Sequence, residues 1–236
     1  MKIYLGDNKL LKDIDIQKNQ KVSSYEEADI VIYNNDLESL FAEIKKLKNK
    51  CSFLPVSTQR LTPISLDNIQ TELSFKFEDQ SVGEVSEIVE KLVRKITKQD
   101  TFEDQARYLI NIAVELIQNS LIFKRVQKLE GVIELVLKED KNYFSIEVQD
   151  FFGGLTKEIF LKNVKRAYSE KTPENKEFGA GLGFFTVLNL SNELQINIER
   201  GKKTKICSII KKYKRLKDYK NKHISIHIEE KEELVK

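Results

Sequence analysis

The sequence predicts an α+β fold, a two-layer sandwich with helices on one face of a mixed, mainly antiparallel sheet, and three observations carry the prediction. A long helical stripe over residues 102–124 is followed by two strand-like runs. A glycine-rich stretch then opens a second helix, and two further strand-like runs follow it. Ahead of this block stands a stretch with a different rhythm, expected as a small α/β domain over 1–75, with the larger unit occupying 76–236.

In the first stretch, residues 2–5 and 28–33 (ADIVIY) are apolar and strand-like, 37–47 has helical spacing, and 52–56 is again strand-like. That is the βαβ rhythm of a small parallel sheet, and it resembles a shortened receiver or flavodoxin-like domain. A phosphoaccepting receiver gathers carboxylates around a magnesium ion. Here only Asp7 is well placed, and Asn34 stands where a second aspartate is expected. The stretch is therefore read as a unit for partner binding or for a homodimer. Residues 57–71, with Pro63 and several polar side chains, read as the connection, and 85–96 is apolar at helical spacing.

From residue 102 each element has its own signal. Leu109, Ile112, Ala113, Leu116 and Ile117 form the stripe of a long helix, with polar Glu115 and Asn119 spaced i, i+4. Residues 132–137 are apolar except for Glu134. Phe144, Ile146 and Val148 alternate with polar neighbours, so the two runs form a hairpin turning at 139–142. Residues 182–190 read as a helix opened by glycines. Residues 194–199 and 205–210 form a second hairpin turning at Arg200 and Gly201. His223 and His227 fall in a run with Ile224, Ile226 and Ile228, expected as an edge strand.

With 236 residues and 40% apolar content the chain can fill a core without disulfides. No apolar run is long enough to cross a bilayer, and the first residues lack a secretory segment, so a cytoplasmic protein is expected. Cys51 and Cys207 lie in strand-like runs far from any metal-ligand spacing and read as buried free thiols. The net charge is only +3, and the lysines of 202–205 and 211–222 come without an aromatic ladder. They read as a solvated face, and nucleic acid is not expected as a partner.

Three short motifs carry chemistry. Glu115 and Asn119 lie one turn apart on an otherwise apolar helix. A carboxylate there can orient or deprotonate an attacking hydroxyl, and an amide oxygen can ligate a phosphate-bound magnesium ion; a polar face meeting solvent is the alternative. Asp150 ends an alternating strand and is followed by Gly153 and Gly154. It can accept the exocyclic amine of adenine, although aspartate before two glycines also makes an ordinary turn. The run GAGLG, with Gly179, Gly181, Leu182 and Gly183, leads into a helix whose first amides can face phosphate oxygens. No strand directly precedes it and no Gly-Lys-Ser/Thr follows, which argues against a dinucleotide fold and a P-loop.

Taken together and in order, ELIQN at 115–119, DFFGGL at 150–155 and GAGLGF at 179–184 resemble the N box and the two glycine boxes of the Bergerat ATP-binding domain, and GKKT at 201–204 is similar to its GxxT turn. The resemblance implies ATP and Mg2+ as cofactors. It implies Glu115 as general base and Asn119 as the magnesium ligand. Asp150 and Gly154 would hold adenine, Thr204 would do so through water, and Gly179, Gly181, Leu182 and Gly183 would cradle phosphate. Phe152 departs from the pattern by standing where the family has its first glycine; it either narrows the adenine pocket or shifts the turn by one residue.

Among family members the closest likeness is to stand-alone regulatory kinases of the anti-sigma type, which phosphorylate a partner protein on serine or threonine. The span from Leu155 to Gly179 would form a short ATP lid, with Lys171 and Lys176 either offsetting phosphate charge or solvated. Two alternatives stay open: a non-catalytic nucleotide-dependent binding module, and a histidine kinase unit acting on a phosphoacceptor in another chain.

Overall fold

The computed structural model describes residues 2–5, 20–21, 30–33, 50–55, 62–97, 103–169, 183–213 and 224–231. The strands are β1 (Lys2–Leu5), β2 (Gln20–Lys21), β3 (Ile30–Tyr33), β4 (Lys50–Pro55), β5 (Thr71–Phe77), β6 (Ile133–Glu139), β7 (Tyr143–Asp150), β8 (Glu193–Glu199), β9 (Lys203–Lys211) and β10 (Ser225–Lys231). The helices are α1 (Val82–Ile96), α2 (Glu103–Val126), α3 (Lys157–Ser169) and α4 (Gly183–Leu190).

All ten strands among the described residues join one sheet in the order β2-β1-β3-β4-β10-β8-β9-β7-β6-β5. From β8 through β5 the pairs are antiparallel, whereas β1 to β4 run parallel to one another. β10 joins the two regions, parallel to β8 and antiparallel to β4. The fold is α+β with a mixed sheet, as the order of elements predicts.

Alternation along each strand decides which face is covered. Leu135 and Leu137 on β6, Ile146 and Val148 on β7, and Ile196 and Ile198 on β8 are buried, as are Ile226 and Ile228 on β10. Their neighbours Lys138, Glu147, Gln149, Gln195, Asn197 and Glu229 point to the other face, which stays partly open. The helices pack on the apolar face. α1 buries Val85, Val89 and Val93, and α2 buries Leu109, Ile112, Ala113, Leu116 and Ile117.

α1 begins where its sequence says it should. The Ser81 hydroxyl accepts from the Glu84 N–H while the Glu84 carboxylate accepts from the Ser81 N–H, a reciprocal capping box. α2 is continuous over 24 residues, so Glu115 and Asn119 sit on a rigid rod.

The structure corrects three expectations. Residues 71–77, placed between connection and helix, form β5 at the sheet edge beside β6, and the expected boundary at residue 75 falls inside this strand. The run containing His227 is interior: β10 has neighbours on both sides, because β4, some 170 residues earlier, supplies the second one. The stretch read as a plain lid is helical over Lys157–Ser169, since Phe160, Leu161 and Val164 bury one side of it. The helix expected over 37–47, Asp7, Asn34 and His223 lie outside the described residues. Cys51 is buried and Cys207 half-buried, and neither forms a disulfide among the described residues.

Candidate functional site

Asp150 is the last residue of β7 and stands directly opposite Thr204 of β9. Its side chain turns back on the chain. Oδ1 accepts from the backbone N–H of Gly153 at 2.9 Å, Phe152 at 3.2 Å and Thr204 at 3.3 Å, while Oδ2 accepts from the Ser120 hydroxyl at 3.4 Å. These bonds fix the carboxylate where strand, turn and helix meet. Burial raises its pKa above the ordinary aspartate value, and the four hydrogen bonds oppose that shift only in part.

The turn after Asp150 is built by Gly153, whose φ of +57° is in the left-handed region. A Cβ there would lie 2.6 Å from the Lys202 N atom, and the Gly201 N–H donates to the Gly153 carbonyl at 3.2 Å. The glycine turn and the GKKT turn are thus nested against each other, Gly153 and Gly201 being 48 residues apart in sequence. Gly153 takes a left-handed conformation that glycine adopts without steric cost, and Phe152 is buried outside the pocket lining, its ring stacked at 6.0 Å on Phe123, which does line it.

Phe123 in turn lies against Gly154, where a Cβ would fall on its ring. At the other end of the same groove α4 starts beside α2. A Cβ on Gly183 would land on the Glu115 carboxylate, with the Asn119 amide nitrogen 3.3 Å away. Glycine lets the first turn of α4 approach the carboxylate and the amide of a packed helix without displacing the end of the Glu115 side chain. Glu115 is half-buried, and burial raises its pKa.

Between these groups lies a pocket of about 190 Å³. Asn119, Ser120 and Phe123 of α2 form one wall, and Asp150, Thr204 and Ile206 of the sheet form the floor. Gly154, Leu155, Ile159, Asn163 and Phe184 complete it. The Thr204 hydroxyl is buried with no hydrogen-bond partner among the described residues, a costly state for a polar atom unless something in the pocket satisfies it.

Of the residues expected from sequence, Asn119, Asp150, Gly154 and Thr204 line this pocket, and Glu115 and Gly183 meet at its α4 end. Gly179, Gly181, Leu182, Lys171 and Lys176 lie outside the described residues. Sequence reasoning missed Ser120, Phe123, Ile159, Asn163 and Ile206. For Ile206 a signal was present, since it follows Thr204 at i+2 on the strand and so shares its face.

α3 is held by charge. The Lys157 ammonium lies 3.3 Å from Glu230 of β10, both side chains buried, and Arg200 Nε donates to the same carboxylate at 2.7 Å. Arg200 also reaches Glu158 at 3.2 Å. This cluster ties the start of α3, which carries Ile159 and Asn163, to β10 and to the GKKT turn.

No family model matches the chain, and no curated protein matches it. Among solved structures, a chain in the crystal structure of the SiaB–SiaC complex from Pseudomonas aeruginosa is similar. It is 14% identical, with 60% of this chain and 89% of that chain covered and a TM-score of 0.46. A likeness of this size leaves function to be argued from the site. No described helix is long and apolar enough to cross a membrane.

Proposed function

We propose that the protein is an ATP-binding signal-transduction protein of the Bergerat type, a regulatory kinase that phosphorylates a partner protein on serine or threonine. The single observation behind this reading is the convergence of Asn119, Asp150 and Thr204, from three separate elements, on one pocket whose Thr204 hydroxyl lacks a partner among the described residues, with Glu115 one helical turn before Asn119 and against Gly183.

The residues fit the ligand. Asp150 would accept the exocyclic amine of adenine with the oxygen that faces Ser120, and Thr204 would use its unpartnered hydroxyl on the same ring through water. Phe123, Leu155 and Ile206 offer apolar surface to the base. Asn119 would hold Mg2+ through its amide oxygen, and the first amides of α4 would meet the phosphates, since a helix N-terminus favours anions. Bound MgATP would supply the γ-phosphoryl group to the attacking hydroxyl, with the bond to the bridging oxygen breaking and ADP as the leaving group. Glu115 takes the proton of the attacking hydroxyl, and its raised pKa makes it a stronger base than a solvated glutamate.

The test separates binding from chemistry. Glu115→Gln should keep MgATP affinity within about threefold and lose ATP turnover by about 100-fold, the size of a general-base effect. Asn119→Ala should make binding independent of magnesium. Turnover unchanged in Glu115→Gln would exclude the kinase reading and leave a nucleotide-dependent binding module.

A further inference from the structure

We propose that the N-terminal strands set the nucleotide affinity of the pocket, acting through the paired strands β8 and β10 and the carboxylate of Glu230. The inference rests on the reading of the pocket as an ATP site and adds its regulation. What carries it is the layout of two parallel strands. Each is gripped by residues from the N-terminal part of the chain, and the two meet at the pocket at their far ends.

The grip is polar and specific. β4 lies antiparallel along β10, with Phe53 opposite Ile226 and Lys50 opposite Glu229. The Ser52 hydroxyl is hydrogen-bonded to His227 Nδ1 at 2.8 Å, and Lys50 lies 3.1 Å from Glu229. The connection after β4 takes hold of β8. The Ile64 N–H donates to Glu193 at 2.6 Å and the Ile64 carbonyl accepts from Gln195 at 2.8 Å, so two β8 side chains hold this backbone as a neighbouring strand would. Glu193 is buried and lies 3.8 Å from His227 Nε2, a nitrogen without a hydrogen-bond partner among the described residues. Both attachments therefore belong to one polar cluster.

The far ends carry the pocket. Side chains alternate along β10, so Glu229 meets Lys50 on one face while Glu230, the next residue, turns to the helix side. There its carboxylate, 1% exposed, accepts from Arg200 Nε at 2.7 Å and lies 3.3 Å from the Lys157 ammonium. Arg200 directly follows β8 and leads into the GKKT turn with Thr204; Lys157 opens α3 with Ile159 and Asn163. One buried carboxylate thus fixes two walls of the pocket, and the β10 backbone fixes the carboxylate. β8 and β10 are paired over Glu193–Glu199 and Ser225–Lys231, about 20 Å of hydrogen-bonded backbone that moves as a unit. A buried charge parted from its partners is costly, so sub-ångström shifts at Glu230 matter. Without β4, β10 would be a sheet edge with backbone groups open on one side and an end prone to fraying. A partner engaging the N-terminal strands, the role expected for residues 1–75, would act on nucleotide affinity by this route.

Linkage supplies the test: if docking of the N-terminal strands raises MgATP affinity, MgATP must tighten that docking by the same factor. Hydrogen exchange of the full chain with saturating MgATP should slow about fivefold at the amides of β4 and residues 62–66, none of which lines the pocket. Calorimetry of the double variant Ser52→Ala, Gln195→Ala, which removes a tether on each strand outside the pocket, should show MgATP affinity about fivefold weaker. Ser81→Ala, which weakens the α1 cap and touches neither tether, should bind as the wild type does. In Glu230→Gln, where the charge that gathers Lys157 and Arg200 is gone, MgATP should no longer slow exchange in β4. A wild type that binds MgATP with exchange in β4 and 62–66 unchanged overturns the proposal, as do equal affinities in the wild type and the double variant. Protection of β4 that persists in Glu230→Gln overturns the role of Glu230. A wild type that binds no MgATP overturns the ATP reading itself, and this proposal with it.

Discussion

Asp150 is held by three backbone amides and one hydroxyl, yet burial still raises its pKa, and Glu115 is shifted the same way by burial alone. A carboxyl group whose pKa is higher in the folded chain binds more protons when folded than when unfolded. Its contribution to stability is therefore complete below the ordinary values of 3.8 and 4.5 and is lost as pH rises through the raised ones. Asp150→Asn, which can keep accepting the three amide bonds, should flatten that decline; the check is the difference in Tm between wild type and variant across this window. At Gly183 the added methyl of Gly183→Ala would land on the Glu115 carboxylate and force it aside. Nucleotide affinity should fall by tenfold or more with the fold retained, as calorimetry and circular dichroism would read together. Glu115, Asn119, Asp150 and Gly183 were legible because each is a polar group or a glycine out of keeping with its segment. Phe123 was not, since an aromatic at helical spacing looks the same whether it fills a core or lines a pocket.

Among the elements, α3 combines a hidden signal with a strong consequence. Its sequence is polar enough to read as loop, and the pattern of Phe160, Leu161 and Val164 becomes meaningful only once a sheet and α4 lie beneath it. The Lys157–Glu230 contact replaces water around two buried charges. Glu230 is the carboxylate shared by Lys157 and Arg200, so Glu230→Ala, which takes it from both, should destabilise the protein by about 3 kcal/mol in urea unfolding. It should also loosen nucleotide binding, because Ile159 and Asn163 ride on the same helix. Ser81→Ala, which removes only the α1 cap, should cost about 1 kcal/mol and leave binding unchanged. β5 and β10 show the same limit of local pattern. Alternation makes each run a strand, but the neighbours that decide edge or interior are β6 at one end and β4 at the other.

At the scale of the whole molecule, order along the chain did what no single motif could. Helix, hairpin, glycine loop, helix, hairpin specifies helices on one face of a sheet and brings the ends of β7 and β9 to the side of α2, where the pocket forms. The arrangement of the N-terminal strands was less legible. β1, β3 and β4 make the parallel set that their apolar runs suggest, but their attachment runs through β10, from the far end of the chain. A site assembled on a continuous sheet and a 24-residue helix is held rigidly. It should bind its ligand without large rearrangement of the described elements.

The most direct test of the central claim is a calorimetric titration of the full chain with ATP in magnesium, with Asp150→Asn beside it. Saturable binding by the wild type, weakened at least tenfold in Asp150→Asn, is the expected result. Absence of binding up to millimolar ATP, or equal binding by both proteins, would contradict the assignment of this pocket to adenine.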